Sequence, residues 1–388
     1  MRKVAVFFGG KSCENEISVL TGVMVLNLID KSKYEVYPVY VHTDGAFYTS
    51  AEMFDVENFR KVQVKNFQQI FFDGGTMYAL NLQKKRIKAL ADVDVALNCC
   101  HGGLGEGGGL SAMMAWNEIP LASPDITSSS VFMDKGITKL VLQSLNIPTL
   151  DYIRVQEEDY RKRAAFLLKR IEPKLKYPVV VKPARLGSSI GISLARNEEE
   201  LKLALETAFA LDNRVVIEKY LPNKIDVNCA AYLLHGDIIV SEPETAFGDG
   251  IYTFHDKYEK ADSSDGTSNA LPMSKKPSVF QNQGGRYALN GVLRDKIRAY
   301  TKTVYKRMHM QGVVRMDFLV SGGNVYLCEV NTVPGSLAYY LFCERLMDAR
   351  AFLGDILEEA LALDKKQEKA ILHTGILNTV HNPLHKNK

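Results

Sequence analysis

The sequence predicts a mixed α/β protein of more than one domain, opening with a doubly wound, Rossmann-like unit. Three observations carry this. At 388 residues the chain exceeds what one ordinary core organises. Its first apolar runs are short, end in glycines and are separated by a helix-spaced segment, the order of a parallel sheet with crossovers. Its last apolar runs alternate around Ser321-Gly-Gly-Asn324, the order of an antiparallel hairpin.

Composition narrows the class. Hydrophobic residues make up 46% and charged residues 24%, as in a soluble globular protein. The net charge of +3 is small and no basic run dominates, so a nucleic-acid partner has no electrostatic basis. Cys13, Cys99, Cys100, Cys229, Cys328 and Cys343 form no CxxC pair and mostly sit in apolar runs, which reads as buried thiols in a reducing cytoplasm. No apolar run reaches the roughly 18 residues that span a bilayer. The run after Met1 is too short for a signal peptide. A cytoplasmic protein without a membrane partner is expected.

The elements follow in order. Residues 3–8 (KVAVFF) form a strand ended by Gly9-Gly10, SVLTGVMVLNLID has helical spacing, and YEVYPVYV is a second strand. Residues 93–99 make a third strand running into HGGLGEGGG, where ligands gather in α/β sheets. Residues 136–145 read as a helix that Pro148 stops. A second region begins near Met133, with two strands around a Gly-Ser loop in YPVVVKPARLGSSIGISLA, an amphipathic helix over 199–211, and a strand in RVVIEKYL. A third follows Leu221, with strands near 227–234 and 237–242, a polar stretch over 245–276 of the length of a functional lid, a helix over 290–309 and the hairpin 312–331. The domain boundaries read as 1–132, 133–221 and 222–388.

The hairpin holds the first chemical signal. With a three-residue loop at Gly322 to Asn324, Asp317 stands opposite Glu329 and Arg315 opposite Asn331, all on one face. Opposed carboxylates repel, and in an apolar setting they need a cation between them. A divalent metal held by Asp317, Glu329 and the Asn331 oxygen resolves the conflict. The alternative is an Arg315–Asp317–Glu329 salt-bridge cluster on a solvated face. The second signal is VVVKPARLGSSIGI, where Lys182 ends a strand and Gly187-Ser188-Ser189-x-Gly191 offers free backbone N–H groups and hydroxyls to a phosphate. It is not a P-loop, and a plain Gly-Ser hairpin turn is the alternative. Lys182 and the carboxylate hairpin together favour nucleotide. The third is His101 in the Gly-rich loop, either a ligand-facing side chain or a satisfied loop histidine.

Read in order, these motifs resemble the ATP-grasp superfamily and, within it, the D-alanine–D-alanine ligase family. VAVFFGGKSCENEIS, HGGLGE, SSVFMDKGITK, PVVVKPARLGSSIGI, IEKYL, DKY, RMDF and EVNTVPG follow the family's sequence of motifs over most of the chain. The resemblance implies the ATP-grasp fold, with the nucleotide between the central and C-terminal domains. It implies that Lys139 and Lys182 contact ATP phosphates and that the loop with Ser188 and Ser189 closes over them. Glu218, Lys219, Tyr220 and Leu221 would meet adenine, and Asp226 the ribose. Asp317, Glu329 and Asn331 would hold two Mg²⁺, or Mn²⁺ in their place. Glu14 would bind the first substrate's amino group, with His101 near its carboxylate. Ser188 and Tyr258 would order the lid, Lys257 would reach the acceptor carboxylate, and Arg315 with the Gly335 N–H would form an oxyanion hole.

The implied activity is ATP-dependent ligation of a D-alanyl-D-alanine-type dipeptide through an acylphosphate, for peptidoglycan precursors, by a homodimer joined through its N-terminal region. The chain departs from the family at Gly107-Gly108, Ser111 and Ala115, where the family has Asp-Gly, Gln and Glu. It departs again at Tyr340, where the family has a Ser that holds the acceptor's carboxylate. These positions leave open another acceptor, D-lactate or a different amino acid, or a nucleotide-binding relative without turnover.

Overall fold

The computed structural model describes residues 1–246 and 289–364. Most of the expected lid over 245–276, including Lys257 and Tyr258, lies outside the described residues. The described chain forms three sheets.

The first sheet contains β1 (Arg2–Gly9), β2 (Tyr34–Val41), β3 (Phe47–Thr49), β4 (Gln68–Asp73), β5 (Thr76–Asn81), β6 (Arg86–Asp92), β7 (Val95–Asn98) and β8 (Leu121–Ala122), in the order β6-β5-β4-β3-β2-β1-β7-β8. Strands β2, β1, β7 and β8 are parallel, as the doubly wound reading requires. Strands β3 to β6 add an antiparallel extension that hydrophobic periodicity does not announce. Its signal was present in Gly74-Gly75 between QQIFFD and TMYALN, two strand-like runs around a tight turn. Helix α1 (Asn15–Leu28) covers β1, and its Ser18 hydroxyl ties Gly9 N–H to the Cys99 carbonyl at 2.7 Å each. That bond fixes the helix start beside the ends of β1 and β7, where doubly wound sheets bind ligands.

The second sheet runs β11-β10-β12-β9, from β9 (Tyr152–Gln156), β10 (Val179–Pro183), β11 (Ser193–Ala195) and β12 (Arg214–Lys219). Odd-numbered residues of β10 and β12, such as Val181 and Ile217, face a core closed by the helices Glu157–Leu175 and Glu198–Phe209. The even-numbered Lys182 and Glu218 therefore face the other way, towards the rest of the molecule. The third sheet runs β14-β13-β16-β17, from β13 (Ile225–Leu234), β14 (Asp237–Val240), β16 (Val314–Ser321) and β17 (Asn324–Asn331), with β15 (Glu244–Ala246) paired to β13.

The β16–β17 hairpin corrects one expectation while keeping its consequence. The turn is the two residues Gly322-Gly323, at φ 55° and 78°, so Ser321 pairs with Asn324. From such a turn alone Asp317 would face Cys328, one residue out of step with Glu329. A β-bulge at Asp317/Phe318 takes up one extra residue, Cys328, and restores Asp317 opposite Glu329 and Arg315 opposite Asn331. The predicted facing pairs are present, set by the bulge and not by the loop length.

The first and third sheets share one core. Val4, Val6 and Phe8 of β1 pack in the same cluster as Leu337, Ala338, Phe352 and Ile356. The segment after Pro334 is thereby anchored in the N-terminal region. Close packing also explains Gly22 in α1, since a Cβ there would lie 2.3 Å from Phe8 Cγ and 2.4 Å from its Cβ. A helix-interior Gly→Ala change ordinarily adds about 1 kcal/mol of stability. Here overpacking at about 1–3 kcal/mol outweighs it, so Gly22→Ala should lower the denaturation midpoint in urea, and a raised midpoint would show that the helix stands off the strand.

Candidate active site

The cleft is built where three helix and strand ends meet. Helix α2 (Lys135–Ser144) begins at Asp134, whose carboxylate caps it by accepting from Gly136 and Ile137 N–H. Its Lys135 and Lys139 stand one turn apart and share a face. Lys139 has no exposed surface. Its ammonium donates to Thr149 Oγ1 at 2.8 Å and pairs with Glu218 Oε1 at 3.0 Å. Lys182 takes the other oxygen, Glu218 Oε2, at 2.7 Å, and lies 3.6 Å from Cys328 Sγ at the bulge. Burial alone would raise the Glu218 carboxyl, but the two ammonium groups pull it down to about 2. Burial likewise works against the Lys182 ammonium, and the acidic groups around it hold its proton well above the usual lysine range.

Lys135 was quoted within a motif but given no role in the sequence reading. Its ammonium donates to the Leu186 carbonyl at 2.6 Å and pairs with Glu329 Oε1 at 2.8 Å. It therefore joins the Gly-Ser loop to the hairpin carboxylate. Lys182 and Lys135 line the cleft, while Lys139 lies beneath it. Sequence alone could not divide the labour of two lysines on one helix face.

On the hairpin, Arg315 makes a two-point contact with Asp317, Nε to Oδ1 at 2.8 Å and Nη2 to Oδ2 at 2.9 Å. Asn331 Nδ2 donates to Asp317 Oδ2 at 3.0 Å. The alternative salt-bridge cluster is thus half present: Arg315 neutralises Asp317, but Glu329 is paired to Lys135. No three His, Cys, Asp or Glu side chains among the described residues form a ready cage. The donors that do converge, two facing carboxylates and an amide, are all hard oxygen ligands. They suit a cation such as Mg²⁺ that completes its shell with phosphate and water.

The Gly-Ser loop reaches across to the N-terminal region. Ser188 Oγ donates to Glu14 Oε1 at 2.5 Å, and a Cβ on Gly187 would lie 2.3 Å from Glu14 Oε2. Only glycine permits that approach. Ser188 and Ser189 sit at φ 51° and 59°, in the left-handed region. Of the segment expected to meet adenine, Glu218 is buried, Lys219 is exposed at the end of β12, and Tyr220 and Leu221 beyond it are half-buried. Asp226, on β13, is paired with Lys224. A separate cavity of about 740 Å³ runs along the free edge of β9, beside Tyr152, Arg154 and Arg214, and contains none of these residues.

His101 is 4% exposed, with both ring nitrogens engaged by protein. Nδ1 lies 2.7 Å from the Val333 carbonyl and Nε2 lies 2.8 Å from Thr21 Oγ1. A neutral ring satisfies both if Nδ1–H donates to Val333 and Nε2 accepts from Thr21, whose oxygen in turn accepts from Ser336 N–H at 3.1 Å. Burial pushes His101 down to about 4. Glu106, also unassigned in the sequence reading, accepts from Gly102 N–H at 2.9 Å and Val333 N–H at 3.3 Å. Burial and the nearby Glu14 push its carboxyl up to about 7. Both residues hold the Thr332–Ser336 segment to the N-terminal region.

Within that segment, the Gly335 N–H donates to no acceptor among the described residues, and Gly335 opens the turn Gly335–Leu341. Tyr340 follows, its hydroxyl 3.4 Å from Arg315 Nη1. The other departures lie elsewhere. Ser111 is buried and donates to the Pro124 carbonyl at 3.0 Å, and Ala115 faces solvent.

Such a cleft, with a strand lysine and two helix lysines on one side, carboxylates on a facing hairpin and a Gly-Ser loop between them, defines an ATP-grasp ligase. The comparisons carry this further. Residues 3–124 match the model for the D-ala D-ala ligase N-terminus and residues 141–358 that for its C-terminus. The D-alanine–D-alanine ligase of Thermosipho africanus is 33% identical over 350 residues, 88% of each chain. That of Thermosipho melanesiensis is 30% identical over 381 residues, 97% of this chain and 98% of its own. In fold, the D-alanine–D-alanine ligase of Coxiella burnetii superposes with a TM-score of 0.76 at 21% identity, over 95% of this chain and 97% of its own. The chain belongs to the D-alanine–D-alanine ligase family of ATP-dependent, peptide-bond-forming ligases.

Two outcomes follow from the buried groups. Glu218→Gln leaves two lysines without their counter-charge and should cost about 3–5 kcal/mol in chemical denaturation; a loss below about 1 kcal/mol would mean that water reaches them. For His101 the folded pKa lies below its ordinary 6.5, so the unfolded chain binds the extra proton between pH 6.5 and about 4. Stability should fall as pH drops through that window, and thermal midpoints of His101→Gln should fall less steeply there than those of the wild type.

Proposed function

We propose that this chain condenses two D-alanine molecules into a dipeptide in the cytoplasm, as a homodimer, with ATP converted to ADP and phosphate. One observation carries the reading. Lys182, Lys135, Asp317 and Glu329 converge on one cleft that the Glu14–Ser188 hydrogen bond closes from the N-terminal side. Cations for phosphates, oxygen ligands for a metal and a carboxylate for an amine then surround one reaction volume.

In this reading Glu14 receives the ammonium group of the first D-alanine. Its carboxylate oxygen attacks the γ-phosphorus, the bond to the ADP oxygen breaks, and an acylphosphate forms. Lys182 and Lys135 balance the phosphate charge, with Lys139 the buried counter-ion that holds Glu218 in place. Mg²⁺, or Mn²⁺, bound by Asp317, Glu329 and Asn331 would supply further neutralisation of the transferred phosphoryl group. The second D-alanine's amine attacks the acyl carbon, and the tetrahedral oxyanion is met by Arg315 and the Gly335 N–H. Phosphate leaves and the dipeptide forms. Unpaired thiols at all six cysteines accord with a reducing compartment. Among the described residues no helix is long and apolar enough to cross a membrane.

The test is ADP and phosphate release with ATP, Mg²⁺ and D-alanine, with the dipeptide identified by mass. Asp317→Asn and Glu329→Gln should each lower kcat roughly 100-fold or more. Absence of D-alanine-dependent ADP release in the wild type would defeat the reading.

A further inference from the structure

We infer that Lys135 is the resting counter-ion of Glu329 and keeps the cleft's affinity for a divalent cation low until a nucleotide enters. Its ammonium then passes from carboxylate to phosphate, and Glu329 passes to the metal. The inference rests on the nucleotide and metal reading above and deepens it.

The first observation is that both carboxylates of the hairpin already hold a protein cation. The opposed pair Asp317 and Glu329 needs positive charge, and the fold supplies Arg315 to one and Lys135 to the other. The two contacts differ in kind. Arg315 lies two residues from Asp317 on the same strand and grips both its oxygens, at 2.8 and 2.9 Å. Lys135 comes from a different element, helix α2, and pairs with Glu329 Oε1 at 2.8 Å. A planar fork with two parallel N–H···O bonds holds its carboxylate more firmly than a point charge on a flexible stem. Of the two cations, Lys135 is the one that can leave.

The second observation is where Lys135 can go. An ammonium has three donors, and one of them holds the Leu186 carbonyl at 2.6 Å. That bond does not depend on Glu329, so the side chain stays anchored beside the Gly-Ser loop when the carboxylate is taken from it. A phosphate brought to the loop meets the ammonium there. The Lys135 side chain is 10% exposed and that of Glu329 33%. A metal entering from solvent therefore reaches the carboxylate first, with the lysine behind it.

The third is electrostatic. Mg²⁺ binds oxygen at about 2.0–2.1 Å, so an ion on Glu329 Oε1 would stand within roughly 5 Å of an ammonium that is 2.8 Å from the same atom. Like charges at that separation repel strongly where bulk water is excluded. The metal binds Glu329 against this repulsion for as long as Lys135 stays. A phosphate that draws the ammonium away relieves it, so nucleotide and metal favour each other's binding through one side chain.

Mn²⁺ binding to the full chain, read by electron paramagnetic resonance, tests this, with folding checked by thermal midpoint. Without nucleotide, Lys135→Met should bind Mn²⁺ at least about 10-fold more tightly than the wild type. Lys135→Arg, which keeps the charge, should stay within about twofold of it. AMP-PNP, a non-hydrolysable ATP analogue, should tighten Mn²⁺ binding in Lys135→Met by a factor about 10-fold smaller than in the wild type. Glu329→Gln should weaken Mn²⁺ binding and abolish the gain from Lys135→Met. A lysine with a purely structural role would give weaker or unchanged Mn²⁺ binding in Lys135→Met. That result, or equal tightening by Lys135→Arg, would overturn the inference, and the metal site would stand if Glu329→Gln still weakens Mn²⁺. If Glu329→Gln leaves Mn²⁺ binding unchanged, the metal reading itself fails.

Discussion

The rest of the site depends on a carboxylate that two lysines share out of reach of water. Glu218 is 2% exposed and lies between Lys139 and Lys182, which approach from different elements, a helix and a strand. Burying three charges is costly, and their mutual attraction offsets the cost only while all three hold their places. The arrangement therefore contributes less to stability than to position. It pins helix α2 to the second sheet, and α2 in turn carries Lys135 to Glu329 on the third. One ion cluster thus aligns the two sheets between which the nucleotide is proposed to lie.

A second constraint closes the site from the N-terminal side. The Thr332–Ser336 segment is tied down by His101, Thr21 and Glu106, all contributed by the first 106 residues. The same segment follows Asn331 at the end of β17 and leads through Gly335 into the left-handed turn. Its placement by a distant region explains why a short stretch can hold the Gly335 N–H, a left-handed turn and a tyrosine in one geometry. The neutral state of His101 matters here, because a protonated ring would lose its acceptor role toward Thr21.

Much of this was legible in the sequence. Glycine-terminated strands gave the doubly wound start, and the spacing of Asp317, Glu329 and Asn331 gave their common face. What escaped was of two kinds. The strands β3 to β6 lie in a stretch where polar residues dilute the alternation, so periodicity alone was a poor guide. The roles of Lys135, Glu106 and Thr21 depend on partners roughly 50 to 300 residues away, which no local pattern encodes. The hairpin is instructive in another way. Its facing pairs were read correctly from a loop one residue too long, because the bulge at Cys328 adds back the residue that the shorter turn removes. Of the departures from the family pattern, Ser111 is a buried packing hydroxyl and Ala115 lies in solvent.

Lys182, Lys135, Glu14 and Arg315 are proposed to serve one reaction in which a carboxylate is activated by phosphorylation. Isotope transfer tests it most directly. With D-alanine labelled by ¹⁸O in its carboxyl group, attack on the γ-phosphorus makes one labelled oxygen the bridge of the acylphosphate. That oxygen leaves with phosphorus when the amine displaces it. Mass analysis should find one ¹⁸O in the released inorganic phosphate for each dipeptide formed, with ADP as the nucleotide product. Unlabelled phosphate, or label appearing in AMP, would contradict the account.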